Sequence, residues 1–244
     1  MRVGDIIKTK HCGELKILEY TDSRNVVGVF TSTGYVVNGR ADSFRHGNIR
    51  DRLAKTICGV GFLGEADHSS HPLYVNVYDR WRNMLIRCNQ PSKDAFRPSY
   101  LDCSVCSEWH DLSKFFIWCI THPQWNDGEW EIEKDILFKG NRVYSPETCC
   151  FVPTKVNNLF VKRAKLRGDF AIGVTRYSKS KFRAQCQDGR GVLARFTPRM
   201  TELEAFLDYK KFKESVIKSV ALDYKLVLSD NVYNALVAYE VEIT

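Results

Sequence analysis

Apolar and polar positions change period several times along the chain. "ELKILEY" (Glu14–Tyr20) alternates, and "NVVGVFTSTGYVV" (25–37) is β-branched and aromatic with a break at Thr33-Gly34. Period-two alternation bounded by turn residues marks strands. A small all-β module, a curled sheet or barrel, is therefore expected over 1–58. The glycine- and polar-rich "GVGFLGEADHSSH" (59–71) follows as a connector. It lacks the strand–turn–helix context of a nucleotide-binding loop.

The period then lengthens. In "VYDRWRNMLIRCN" (77–89), Tyr78, Trp81, Met84, Leu85 and Cys88 fall at helical spacing, with Arg80, Arg82 and Arg87 off that face. In "VCSEWHDLSKFFIWCI" (105–120), Val105, Trp109, Leu112, Phe116 and Cys119 repeat the pattern. Two helices with aromatic core stripes are expected, joined by the loop "QPSKDAFRPSYLD".

Alternation returns in "WEIEKDIL", which reads as a strand; "KGN" is a tight turn, and "CCFV" a second strand. Pro153 suits the first turn of a helix carrying Val156, Leu159 and Phe160. "VKRAKLRG" (161–168) reads as a basic linker. "FAIGVTRYSKSKFRAQCQDGRGVLARF" (170–196) holds three strand-like pieces, with the hairpin signal Asp188-Gly189. Thr201 with Glu204 forms a capping box, and Leu203, Phe206, Leu207, Phe212, Val216, Ile217 and Val220 follow at helical spacing. A second short helix is expected from Ser229, with Val232, Leu236 and Val237 inward. The fold class is α+β and modular, in three parts. These are the β module (1–58), a helical part ending in a strand–strand–helix core (72–160), and a three-stranded antiparallel sheet packed on a helix (169–244).

At 44% hydrophobic and 12% aromatic, the composition supports packed cores. No stretch reaches the roughly 18–20 apolar residues of a membrane span, and the N-terminus lacks the apolar run of a secretory signal. Nine cysteines, odd in number and irregularly spaced, fit a reduced cytosolic chain with no membrane partner.

Charge changes the picture through its location. The chain carries +7, whereas 161–199 holds eleven Lys or Arg against Asp169 and Asp188, a local +9. Clustered cations on a narrow sheet attract polyphosphate. Strand alternation predicts that Lys179, Lys181 and Arg183 point together and that Arg176 joins them across the sheet. A sheet of this width can enter the DNA major groove, where Arg reads guanine bidentately. A second basic cluster, Arg40, Arg45, Arg50 and Arg52, marks the tip of the N-terminal module and could either touch phosphate or be a solvated loop.

Two resemblances follow from these residues. Carried by "GVTRYSKSKFRAQC", "DGRGV" and "TELEAFLDYKKFKE", residues 170–239 resemble the plant ethylene-response-factor-type DNA-binding domain, in the form borne by phage and mobile-element endonucleases. The resemblance implies DNA contact from Arg176, Lys179, Lys181 and Arg183, extended by Arg190 and Arg195; the charge cluster, not the resemblance, adds Lys162, Arg163 and Lys165 from the basic linker. Through "GNRVYSPETCCFVPTKVNN", residues 133–160 resemble the ββα-metal core of phage HNH-type endonucleases; "YDRWRNMLIRC" and "VCSEWHDLSKFFIW" are similar to the helices preceding that core.

The second resemblance implies phosphodiester cleavage with one Mg²⁺ or Mn²⁺. Glu133, Lys134 and Asp135 would be catalytic; Asp135 with Asn157 or Asn158 would hold the metal through hard oxygens. The sequence departs from the family at the centre. No His lies between Trp125 and Phe160, Glu133-Lys134-Asp135 stands where the family has Asp-His or Asp-Arg, and Thr148 replaces an Asn. Alternation places Glu133 and Asp135 on one strand face and Lys134 on the other, where it could meet phosphate. Three functions stay open: a DNA endonuclease acting in the cytoplasm of an infected host, a non-cleaving DNA-binding regulator, and an inhibitor of a host protein. Cys103-x-x-Cys106 with Cys149-Cys150 suggests structural zinc, but adjacent strand residues face opposite ways, so buried thiols are expected instead.

Overall fold

In the computed structural model, residues 1–89, 102–122, 129–160 and 169–243 are described. The fold is α+β, with several small sheets. The chain divides into two compact units, Met1–Thr121 with Arg142–Ser145, and His122–Asn141 with Pro146–Thr244.

The first unit opens on an antiparallel meander of β1 (Ile6–Lys8), β2 (Glu14–Tyr20), β3 (Val26–Phe30) and β4 (Val36–Gly39) in sheet order 1-2-3-4. Alternation along β2 and β3 sends Leu15, Ile17, Val26 and Phe30 inward. The short helix α1 (Ala41–Arg45) closes this core with Ala41 and Phe44. Asp51 is buried, yet its carboxylate accepts from Thr33 Oγ1 at 2.7 Å and from the Leu53 N–H at 2.8 Å. A buried charge is tolerated when its lone pairs are filled in this way.

Helix α2 (Tyr74–Asn89) buries Val77, Trp81, Met84 and Leu85, and the Trp81 indole donates to the Trp109 carbonyl at 2.7 Å. It starts three residues before the expected 77. The expected helix over 105–120 is corrected: Val105 belongs to β5 (Ser104–Val105), a 3₁₀ turn covers Ser107–His110, and only Leu112–Ile120 is helix α3. Asp111 explains the break, because its carboxylate caps the new helix by accepting from the Ser113 N–H at 2.8 Å. β5 pairs in parallel with β7 (Val143–Tyr144).

In the second unit, β6 (Trp130–Glu133) pairs antiparallel with β8 (Cys150–Pro153), Glu133 opposite Cys150. The short helix α4 (Thr154–Asn157) follows. Pro153 flanks this helix rather than opening its first turn, and Leu159 and Phe160 lie beyond its end. The C-terminal sheet orders β11 (Leu193–Arg195), β10 (Lys181–Gln187) and β9 (Val174–Ser178), all antiparallel. Helix α5 (Glu202–Asp223) braces one face, begun by the Thr201–Glu204 capping box, and α6 (Asp230–Val237) packs on α5. Leu203 and Leu207, expected inward, are exposed at 57% and 52%. The buried stripe runs instead through Ala205, Phe206, Tyr209, Val216, Ile217 and Val220.

The last residues tie this unit together. Lys139 Nζ donates to the Glu240 carbonyl at 2.8 Å and pairs with Glu242 at 2.5 Å. The Tyr239 ring meets Phe160 edge-on, and the Val241 N–H donates to Glu214 at 2.8 Å.

Candidate nucleic-acid interface

The two faces of the C-terminal sheet differ sharply. Opposed residues of an antiparallel pair share a face. Ala184 pairs with Val174 and Phe182 with Arg176 on the helix-covered side. Arg183 pairs with Thr175, and Gln185 with Arg195, on the open side. The register shifts between Lys181 and Phe182, leaving Tyr177 as an extra residue on β9.

This bulge corrects the expected cluster. Arg176 does not join Arg183: it lies on the braced side, its guanidinium 5.1 Å from the Phe170 ring centre and 5.3 Å from that of Phe182, while its Nη1 donates to the Lys179 carbonyl at 3.0 Å. Lys179 lies in the β9–β10 turn rather than on a strand. Arg183 occupies the open face, its guanidinium 3.9 Å from the centre of the Tyr177 ring. Its Nε is buried and has no hydrogen-bond partner among the described residues. Lys181 and Arg195 are exposed. No acidic residue occurs in β9, β10 or β11. Arg190 sits exposed in the β10–β11 turn, where the Asp188 carboxylate accepts from the Arg190 and Val192 N–H groups at 2.8 and 3.1 Å. Lys162, Arg163 and Lys165 lie outside the described residues.

Tyr177 was not singled out from the sequence. The signal was available as an aromatic beside a basic strand, but only the bulge turns it onto the arginine.

The Glu133–Lys134–Asp135 segment is arranged otherwise than alternation predicts. β6 ends at Glu133, so Lys134 and Asp135 belong to a bend rather than to opposite strand faces. Lys134 is 7% exposed, and its ammonium donates to Asp135 Oδ2 at 2.7 Å and to the Asn141 carbonyl at 3.0 Å. The Asn141 side chain returns a bond to the Lys134 carbonyl at 2.9 Å. Glu133 Oε1 accepts from the N–H groups of Lys134 and Asp135, both at 2.8 Å. Burial raises the Glu133 carboxyl above its ordinary range, outweighing those two donors and Lys134. Asn157 is half-buried and Asn158 exposed at the end of α4.

This donor set does not fit a divalent cation. One carboxylate is folded back onto its own turn, and the other is held by a buried ammonium that would repel a metal at the same oxygens. Among the described residues no three His, Cys, Asp or Glu side chains converge as ligands. Cys103, Cys149 and Cys150 are buried, and burial raises the Cys150 thiol to about 12. His122 packs edge-on against Phe151.

The Glu133 environment gives a pH-dependent expectation. A carboxyl raised on folding penalises the folded state once both states are ionised. The penalty is absent below the unfolded value, near 4.3, where both states are protonated, and is complete above the folded value. Glu133→Gln keeps an acceptor for the two N–H groups and removes the penalty. Thermal melting should find the variant at least as stable as the parent at pH 7, with its advantage gone at pH 4. An advantage unchanged between these pH values would refute the burial account.

No protein-family model, curated protein or solved structure matches the chain.

Proposed function

We propose that this protein binds duplex DNA through the open face of its C-terminal sheet, with the Glu133–Phe160 hairpin and helix serving as a structural support rather than a cutting site. One observation carries the reading: the Arg183 guanidinium sits 3.9 Å from the centre of the Tyr177 ring, its Nε–H without a partner among the described residues, on a strand face that has no carboxylate. A guanidinium fixed in plane is suited to the paired acceptors of guanine. Lys181, Arg190 and Arg195 would take phosphates, which set register without reading sequence. Helix α5 holds the sheet rigid from behind.

Titrating a labelled duplex at rising salt tests this. Three phosphate contacts predict that log K falls with log salt at a slope of roughly −3; affinity that ignores salt would sink the reading. The non-cleaving part is tested by incubating supercoiled plasmid with Mg²⁺ and with Mn²⁺. The plasmid should stay intact. Nicking that disappears in Asp135→Ala with Asn158→Ala would overturn it in favour of an HNH-like nuclease.

A further inference from the structure

We propose that a groove in the N-terminal unit holds a single-stranded nucleic-acid segment, a contact separate from the C-terminal sheet. The inference rests on the chain being a nucleic-acid-binding protein. The groove has a volume of about 420 Å³ and is formed by the β1–β2 turn, the segment after α1, residues near Ile57, and Tyr78 of α2. Its rim carries Lys10, His11 and Arg50 with the neutral hydrogen-bonding side chains of Asn48 and Thr56; no acidic residue lines it among the described residues.

The four arginines at this end of the module divide into two groups. Arg45 pairs with Asp42 at 3.7 Å. Arg52 is consumed by the Gly64 and Ala66 carbonyls at 2.8 and 2.5 Å and by Asp67 at 3.1 Å. Arg40 and Arg50 are exposed, with no ion pair among the described residues. Asp51, the carboxylate nearest Arg50 in sequence, is turned inward onto Thr33 and Leu53. Arg50 thus faces solvent while the carboxylate next to it in sequence points inward, on a rim shared with Lys10.

The walls are held in place. The Lys10 N–H donates to the Gly47 carbonyl at 3.0 Å, and Gly47 has φ 66° with so little room that an added Cβ would stand 2.9 Å from the Lys8 carbonyl oxygen. The two loops therefore cannot part or accept a larger residue without rearranging. Ile49, Ile57 and Leu63 line the interior, and Tyr78 adds an aromatic side chain, itself flanked by Tyr74 and Trp81 at 6.1 and 5.9 Å. Cations on the rim over an apolar, aromatic lining match a nucleotide unit, phosphate outside and base inside. A base stacked within a duplex cannot enter, which selects a single strand.

The test uses the full chain and a short single-stranded oligonucleotide. Lys10→Gln with Arg50→Gln changes two exposed side chains, so the melting temperature should stay that of the parent. Oligonucleotide affinity should fall roughly tenfold and the salt slope should shrink by about 1.4, two contacts at ~0.7 each, with duplex binding almost unchanged. Unchanged oligonucleotide affinity and slope would overturn the proposal, and so would an equal loss for duplex and single strand. Binding of deoxythymidine monophosphate as tight as that of the oligonucleotide would also overturn it, by assigning the groove to free nucleotides. Failure of the sheet reading is distinct: it appears as duplex affinity that survives Arg183→Ala with Arg195→Ala.

Discussion

Gly173→Ala should destabilise the C-terminal sheet far more than Gly191→Ala, although both glycines have positive φ, 76° and 93°. An alanine in the left-handed region costs roughly 1–2 kcal/mol at either site. At Gly191 that is the whole cost, since an added Cβ meets nothing within 4 Å. At Gly173 the same atom would run into the ring of Tyr209, buried on α5. Overpacking adds about 1–3 kcal/mol. The expected loss is about 3 kcal/mol or more for Gly173→Ala, a fall of roughly 10 °C or more in the melting of that unit. Urea denaturation of both variants measures the difference. Equal losses would mean that the sheet and α5 can separate enough to admit a methyl group, and the rigidity assigned to the braced sheet would be wrong.

Arg183→Ala with Arg195→Ala should cost between about tenfold and several hundredfold in duplex affinity, from a base contact of roughly 1–3 kcal/mol and a phosphate contact that lowers the salt slope by about 1. Arg176→Ala is the informative comparison. The sequence groups all three arginines, but Arg176, though exposed, stacks on Phe170 and Phe182 on the other side of the sheet. Its loss should lower stability by about 1 kcal/mol through the lost cation–π contacts and leave DNA affinity nearly intact. Fluorescence anisotropy at fixed salt reads both outcomes. Equal affinity losses for Arg176→Ala and the double variant would refute the division between the faces.

These comparisons mark where the sequence was legible. Period-two alternation located β2, β-branched and aromatic content located β3, strand-like runs between turn signals located β9 and β10, and the capping box located the start of α5, because each depends on neighbours within one element. The break at Asp111 was missed because the apolar spacing of Val105, Trp109 and Leu112 reads as helical while Asp111 caps a helix that starts only there. The bulge at Tyr177 was missed because a register shift depends on two strands, and alternation along one cannot show it. For the same reason the order of charges in Glu133-Lys134-Asp135 misled: the Asn141 carbonyl, across the turn, draws the ammonium inward. Ligand candidates chosen by residue type then acquired structural partners that no spacing rule supplies.

The tie between Lys139 and the Glu240–Glu242 segment bears on the order of synthesis. A chain leaves the ribosome N-terminus first, at roughly 5–20 residues per second. The hairpin of β6 and β8 is therefore made on the order of ten seconds before the residues that clamp it. During that interval Phe160 lacks the Tyr239 ring and Lys139 lacks both of its oxygen partners. A chain cut off before residue 239 would have its three-stranded sheet and α5 complete but its β6–β8 hairpin left unfastened.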